Sequence, residues 1–468
     1  VLTLCCVKQC GVESVLHADD SVLPVQQRVH AADYNGMFKP WWERGYEGEA
    51  GITWPGGTEY FAMSSGTSDA NTKYIPVTEA TMKSLSRGAF RMFSSFPEYG
   101  LSEDVYTASW LAIGGTTQLT KQGRRRFGYL SGINAREQPL WARGFYKPGR
   151  RIARIEAFDD RVEEIARNAH KWNIGVIVGI PHWVQITLER ILEIHKIEHI
   201  SEIWPELELF VSGGADYKAY VKSFDRLIGH PIKYMNTYLA SEGMFAFQRN
   251  AEALGMQLLL DNGVFYEFVP FNEENFDDEG NLRKDVKALA LNEVEVAKEY
   301  AMLTTSCSGA WRYLVGDTVR FIDVENAIIR ISGRTKHYIN LVTEHLTVDN
   351  MNAGVVAVEE ALNVRIPEFT IIPVKEDQYV AHEWYLGSKD ELDAEAILLI
   401  LDAALGAVND DYKSERKTLL QIKVTTVPLS YFYEWQRLSG QVNGQSKIPR
   451  VLKGGAKDRW LELLGTRN

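Results

Sequence analysis

A two-part α/β protein is what the sequence predicts: a large N-terminal domain built on mixed or parallel sheets covered by helices, then a smaller α+β domain. Three observations carry this. From about residue 160 to 240, short apolar runs alternate with amphipathic stretches, the pattern of a parallel sheet with helices on both faces. Past about residue 330 the texture turns to a mixture of helical and strand-like runs, which sets a boundary near Gly333 and domains of 1–333 and 334–468. A chain of 468 residues suits two domains of unequal size.

The elements follow in chain order. Tyr60-Phe61-Ala62-Met63 reads as a strand, and a helix comes after it, with Thr78 as N-cap and Met82, Leu85, Ala89, Met92 and Phe96 on its apolar face. Val162, Ile165, Ala166, Ala169 and Trp172 recur at helical spacing. Gly175 to Pro181 is an apolar run stopped by proline, a buried strand, and the next helix turns Val184, Leu188, Ile191 and Leu192 to one side. Leu207 to Val211 is a strand ending in Ser212-Gly213-Gly214. A helical stretch from Tyr217 to Ile228 leads to the strand Ile232 to Met235. In such sheets ligands bind beyond the carboxyl ends of the strands, where Ser212-Gly213-Gly214 and the residues after Met235 should lie. Ile329 to Arg334 is a strand ending in a turn, Ala394 to Val408 a helix, and Leu419 to Val427 a strand.

Composition excludes several classes. Apolar residues make up 45% and charged residues 24%, as in soluble globular proteins, and the 12 Trp, 21 Tyr and 19 Phe can line an apolar pocket as well as fill a core. The net charge of -11 and a single sharp basic run, Arg124-Arg125-Arg126, read as a solvated loop, argue against nucleic acid as a partner. Cys5, Cys6, Cys10 and Cys307 show neither zinc nor disulfide spacing, so a reduced, cytoplasmic setting is the expectation. Ala396 to Val408, interrupted by Asp402, is too short to span a bilayer, so no membrane partner is expected. Val1 to Cys6, with no Met and no basic residue, reads as a truncated start rather than a signal peptide.

Three segments carry candidate chemistry. Ser64-Ser65-Gly66-Thr67-Ser68 with Lys73 offers backbone N–H groups, hydroxyls and a point charge to an anion, though a polar turn between strand and helix explains the same residues. The spacing is not that of a Walker loop. Tyr238-Leu239-Ala240-Ser241-Glu242, just after a sheet strand, could hold magnesium through Glu242 and cover a purine with Tyr238, or could be a solvated loop. Ala310 to Asp317 ends in an Asp after a glycine, able to accept two hydroxyls or to sit in a β-turn.

In this order and at these intervals, the three segments resemble the nucleotide-binding motifs of the acyl acid–amido synthetases of the plant auxin-response type and their bacterial relatives, within the acyl-adenylate-forming superfamily. The resemblance runs from about Gly51 to Leu452. It includes Phe265 to Pro270, Leu291 to Glu295, Gly333 to His337 and Gly444 to Arg450, with a bacterial-like tail from Thr335. Ala70 stands where the family often has Gly, Ala310 where Leu is common, and the N-terminal helical region is shorter by a few tens of residues. The resemblance implies an adenylate-forming N-terminal domain and a C-terminal domain on a hinge. Ser64 to Ser68 with Lys73 would bind phosphate, and Gly213, Gly214 and Ala215 would flank the adenine. Tyr238 would lie near the base beside Ser241, Glu242 would hold magnesium, and Asp317 would take the ribose hydroxyls. Arg334 and Lys336 would stand at the hinge near the phosphates, and Lys447 would be a mobile lysine reaching the acyl phosphate. By the same resemblance Pro181, His182 and Trp183 would belong to the acyl pocket; the residues alone read Trp183 equally as core and His182 rather as a loop histidine.

The activity so implied is that of an ATP-dependent ligase. A carboxylic acid attacks the α-phosphate of ATP to give acyl-AMP, and an amine, an amino acid by resemblance, then takes the acyl group. An acyl-CoA ligase shares the first step and remains the alternative, as does a nucleotide- or acyl-binding protein without catalysis. The sequence names neither the acid nor the amine.

Overall fold

The computed structural model of the chain describes residues 29–64, 72–138, 143–214, 217–277, 280–336, 339, 346–376, 379–409, 412–413, 416, 420–438 and 448–465. One eleven-stranded sheet organises most of them. Half of it is parallel: strands Tyr146–Lys147, Ser109–Ile113, Ile174–Gly179, Leu209–Gly213 and Lys233–Ala240 lie side by side in that order. The direction then reverses at a two-residue hairpin, Ser241-Glu242, and the sheet continues antiparallel. Its second half runs through Gly243–Phe247, Met256–Leu258, Ile328–Arg334, Ala310–Asp323, Glu299–Ser306 and Val264–Pro270.

Alternation along the parallel strands decides which side each residue supplies. Ile177 and Phe210 face helices Phe158–Asn168, Pro181–His195 and Val221–Ile228, in a core with Val162, Leu188 and Phe224. Val176, Leu209 and Val211 face the other way and join Leu85, Met92 and Phe96. The parallel half is therefore covered on both faces, as its continuous apolar runs require. The helix Glu79–Ser94 begins at Thr78, whose hydroxyl accepts the Thr81 N–H at 3.0 Å.

Details differ from the sequence reading. A strand, Lys73–Val77, intervenes between the Ser64 segment and that helix, pairing back onto Tyr60–Ser64 with Ser64 opposite Lys73. Proline at 76 and a length of five residues hid it. Ala89 is exposed and Gly88 takes the buried position, because a side chain there would meet Met244 and Leu259. Trp172 falls beyond the helix end at Asn168, past a 3-10 turn. Arg125 and Arg126 lie in a strand, Arg125–Gly128, of a small four-stranded sheet, and Arg126 pairs with Glu59. Gly333 sits inside the last strand before the C-terminal unit, opposite Thr318.

That unit is α+β. Strands Glu368–Glu376 and Tyr379–Ser388 are antiparallel, and Leu420–Pro428 joins the second in parallel after helix Ala394–Val408. Asp402, which broke the apolar run, is held by Arg416 and the Tyr412 hydroxyl. A short parallel bridge between Ile371 and Val451 lies along the outer edge of this sheet. There the Ile371 N–H donates to the Arg450 carbonyl and the Leu452 N–H to the Ile371 carbonyl, both at 2.9 Å. The unit is tied to the parallel half by the Tyr220 hydroxyl, which donates to Glu368 at 3.0 Å, while Arg450, inside the unit, reaches the other oxygen of Glu368 at 2.8 Å. Among the described residues no helix is long and apolar enough to cross a membrane.

Candidate active site

The reversal of the main sheet is where the candidate residues meet. Lys233–Ala240 is longer than its sequence suggested, so Tyr238 lies on the strand and only Ser241 and Glu242 form the turn. Glu242 is 8% exposed, and Oε1 accepts the Tyr313 hydroxyl at 3.1 Å. Burial pushes its carboxyl above the usual carboxylate range, and the charge of Lys73 pulls it partway back.

Lys73 opens the strand beside Tyr60–Ser64. Burial draws its ammonium below the ordinary lysine range, against the attraction of Glu242; Arg334 and Lys336 add to the lowering. Its Nζ lies 5.5 Å from the centre of the Tyr34 ring, within cation–π reach. The Tyr34 hydroxyl accepts the Tyr74 N–H at 2.9 Å, and burial pushes its pKa up to about 12.

Asp317 is not in a β-turn. It follows Gly316, whose φ of +92° favours glycine, inside the long strand Ala310–Asp323, where the pairing with Glu299–Ser306 slips by a bulge. One oxygen takes Arg334 Nε at 2.8 Å and the other takes the Tyr238 hydroxyl at 2.8 Å. Asp317 raises the Arg334 guanidinium, while burial, reinforced by Asp317, lifts the Tyr238 phenol far above its ordinary range. Each carboxylate oxygen keeps a second lone pair for a further hydroxyl. Tyr238 itself is 4% exposed, with its ring edge-on to Phe245 at 5.1 Å.

At the end of the neighbouring strand, Gly213 lies opposite Thr237, whose hydroxyl donates to the Ser212 carbonyl at 2.9 Å. Gly214 has φ +80°. Lys73, Glu242, Asp317, Arg334 and Lys336, drawn from distant parts of the sequence, thus form one charged cluster at the seam between the two halves of the sheet. Ser65, Gly66, Thr67, Ser68, Ala215 and Lys447 lie outside the described residues.

Pro181, His182 and Trp183 are not a loop. They are the first turn of helix Pro181–His195, where proline's missing N–H costs nothing. Trp183 is 4% exposed and packs on Phe158 at 4.3 Å, which makes it a core side chain; the His182 ring lies against it, also 4% exposed. Sequence reasoning assigned no role to Tyr313 or Tyr34. Tyr313 stood inside the third motif, but its reach to Glu242 depends on pairing between strands. Tyr34 comes in through the bridge of Ala32 to Tyr313, for which the sequence carries no local signal.

Comparison with known proteins agrees with this architecture. Models of the GH3 family match in three successive parts: its N-terminal domain at residues 25–124, its central domain at 257–334 and its C-terminal domain at 349–455. An indole-3-acetic acid-amido synthetase of Arabidopsis thaliana, GH3.4, is 26% identical over 282 residues, which is 54% of this chain and 45% of that protein. A second, GH3.2, is 25% identical over 134 residues, 27% of this chain and 24% of that protein. The chain thus spans less than half the length of the curated relatives it matches. Among solved structures, a GH3.15 acyl acid amido synthetase in complex with 2,4-DB superposes with a TM-score of 0.77 at 15% identity, over 99% of this chain and 91% of that one. A 2-hydroxyisobutyryl-CoA ligase gives 0.56 at 12% identity, over 99% and 88%. With three family models in register along well over half of its length, and with the fold of a solved member, the chain belongs to the GH3 family.

Proposed function

We propose that this protein is an ATP-dependent ligase that activates a carboxylic acid as acyl-AMP and passes the acyl group to an amine, an amino acid in the first instance. One observation supports this above the others. Lys73, Glu242 and Asp317, each from a different motif, meet in one cluster with Arg334. That is the set needed to hold a nucleotide by its phosphates, its metal and its ribose.

Glu242 suits a magnesium ion. A buried carboxylate opposed chiefly by one lysine gains from a hard divalent cation. Among the described residues no group of three or more His, Cys, Asp or Glu side chains stands ready to hold an ion. A single carboxylate fits a cation that keeps waters and is shared with phosphates. When bound, magnesium would offset negative charge on the phosphates. Lys73 adds a fixed cation on the same side, and a cation already in place acts without reorganisation as charge develops. Asp317 would accept the ribose hydroxyls while Arg334 and Tyr238 hold it still. Gly213 and Gly214 leave backbone room beside the adenine. Ser64 to Ser68 would bind the phosphates with Lys73 and Lys447 would reach the acyl phosphate, roles that rest on the family resemblance. The region of Gly333 and Arg334 is the proposed hinge between domains 1–333 and 334–468. Positioning and charge stabilisation would supply the rate, with no covalent intermediate on the protein.

The test is carboxylate-dependent exchange between ATP and pyrophosphate, over a panel of aryl, indolyl and fatty acids, with Glu242→Ala as control. Exchange with some acid, lost in the control, is the expected result. ATP binding without exchange for any acid, or without amide product on adding amino acids, would overturn the ligase reading. Product formed with coenzyme A instead of amino acids would move the chain to the acyl-CoA ligases.

A further inference from the structure

The residue before Tyr313 is held in a conformation that strands rarely tolerate. Arg312 has φ +43°, a left-handed backbone disfavoured for any residue with a Cβ. It forms a bulge in which Trp311 and Arg312 together face Thr305, and its N–H donates to the Thr305 hydroxyl at 3.0 Å. Its side chain is 6% exposed, and Nε lies 3.1 and 3.0 Å from the two oxygens of Glu267, which is 1% exposed. Nη1 donates to the Val29 carbonyl at 2.7 Å. The Arg312 carbonyl accepts the Ala32 N–H at 3.1 Å, and the Ala32 carbonyl accepts the Leu314 N–H at 2.8 Å. Residues 29–32 are thus clipped along Arg312 to Leu314.

Both ends of this arrangement reach the candidate site. Directly after Arg312, Tyr313 donates to Glu242. Two residues after Ala32, Tyr34 lies beside Lys73. Trp42 fills the space between them, 6.2 Å from the Tyr34 ring and 5.4 Å from that of Tyr313. A buried ion pair is poor value for stability, since desolvation consumes most of its attraction. A left-handed arginine adds a second cost, of the kind found where geometry matters more than stability. We propose that Arg312, braced by Glu267, is a positioning residue. Its bulge fixes Tyr313 on Glu242, and its clip on residues 29–32 fixes Tyr34 beside Lys73. Its kinetic expression rests on the adenylation reading.

A double-mutant cycle tests this. Arg312→Gly keeps the left-handed backbone without the guanidinium, and Tyr313→Phe removes the hydroxyl. Each single variant is expected to lower kcat for exchange about 10-fold, with the KM for the carboxylic acid within about twofold of wild type. The double variant should lose no more than about threefold beyond the worse single variant. Arg312→Lys, a point charge that cannot reproduce the fork, should restore little. If the losses multiply, or if the single variants lower only the urea midpoint and leave kcat unchanged, the inference is wrong. Should Arg312→Gly fail to fold, Glu267→Gln takes its place in the cycle. The same cycle is run on the dissociation constant of ATP with magnesium, by calorimetry. Coupling there without exchange in the wild type would uphold the positioning role while sinking the ligase reading. Independent effects there would sink the positioning role whatever the exchange assay gives.

Discussion

Asp317→Asn separates a nucleotide ligand from a structural partner. In the wild type one oxygen takes Arg334 and the other Tyr238, each at 2.8 Å. Asparagine keeps one acceptor oxygen and sets an amide N–H₂ against a donor. Tyr238 can still donate to that oxygen, so the lost interaction is the charged one with Arg334. Hydrogen bonds to charged groups are worth about 1.5–3 kcal/mol, and the Arg334 side chain is 40% exposed, so solvent screening places the stability loss at the lower end. A ribose hydroxyl donating to the carboxylate would lose a similar amount on its own account, about 10- to 100-fold in the KM for ATP. The assay is exchange against ATP concentration, with ATP compared to its 2′- and 3′-deoxy analogues. The wild type should discriminate against at least one analogue, and Asp317→Asn should shrink that discrimination along with raising KM. A variant with a lower urea midpoint but unchanged KM and discrimination would refute the argument and leave Asp317 as a brace for Arg334.

Three further outcomes are expected. Lys73→Met should cut the exchange rate by about 10²- to 10³-fold, the usual effect of removing one preorganised charge-stabilising group, with circular dichroism unchanged; a loss below 10-fold would remove Lys73 from the phosphate site. Glu359 is buried and accepts the Ile366 N–H at 2.7 Å, and burial raises its carboxyl above the ordinary 4.5. The native state then holds this proton after the unfolded chain has released it, so stability falls as pH rises from about that value through the native one. Glu359→Gln lacks that fall, so the variant should gain on the wild type between pH 4 and 7 in urea titrations; a gap that stays constant with pH would contradict this. Gly132→Ala would drive a methyl group into the Thr116 carbonyl from a buried helical position, for a loss of about 1–3 kcal/mol in unfolding free energy; an unchanged urea midpoint would mean the backbone yields.

The parallel half of the main sheet was legible because strands buried on both faces write continuous apolar runs, such as Ile174 to Gly179, and helices write a period of 3.6. The short strands of the small sheet are written less clearly. Lys73–Val77 contains a proline, and Arg125–Gly128 starts with two arginines, so tertiary pairing overrides both signals. The three motifs were visible as residues, but their meeting was not. Tyr313 reaches Glu242, and Tyr238 reaches Asp317, because Lys233–Ala240 turns at Ser241-Glu242 to pair with Gly243–Phe247 and Ala310–Asp323 carries two left-handed residues, Arg312 and Gly316. Trp183 shows a different ambiguity: an aromatic beside a strand end reads equally as a ligand contact or as core, and only the fold shows its ring packed edge-on against Phe158 among buried side chains.

The bridge between Ile371 and Val451 has a consequence for the protein as a material. It runs along the flank of Glu368–Glu376 that would otherwise present backbone groups to solvent. An uncovered strand flank is a template on which other chains can stack. Removing the residues from 448 onward would strip that guard together with Trp460 and Leu463, which pack under the same sheet. Chains cut before residue 448 are therefore expected to collect in the insoluble fraction to a greater extent than the chain that keeps residues 448–465. Residues 448–465 act in this respect as a cover over part of an edge that would otherwise recruit other chains.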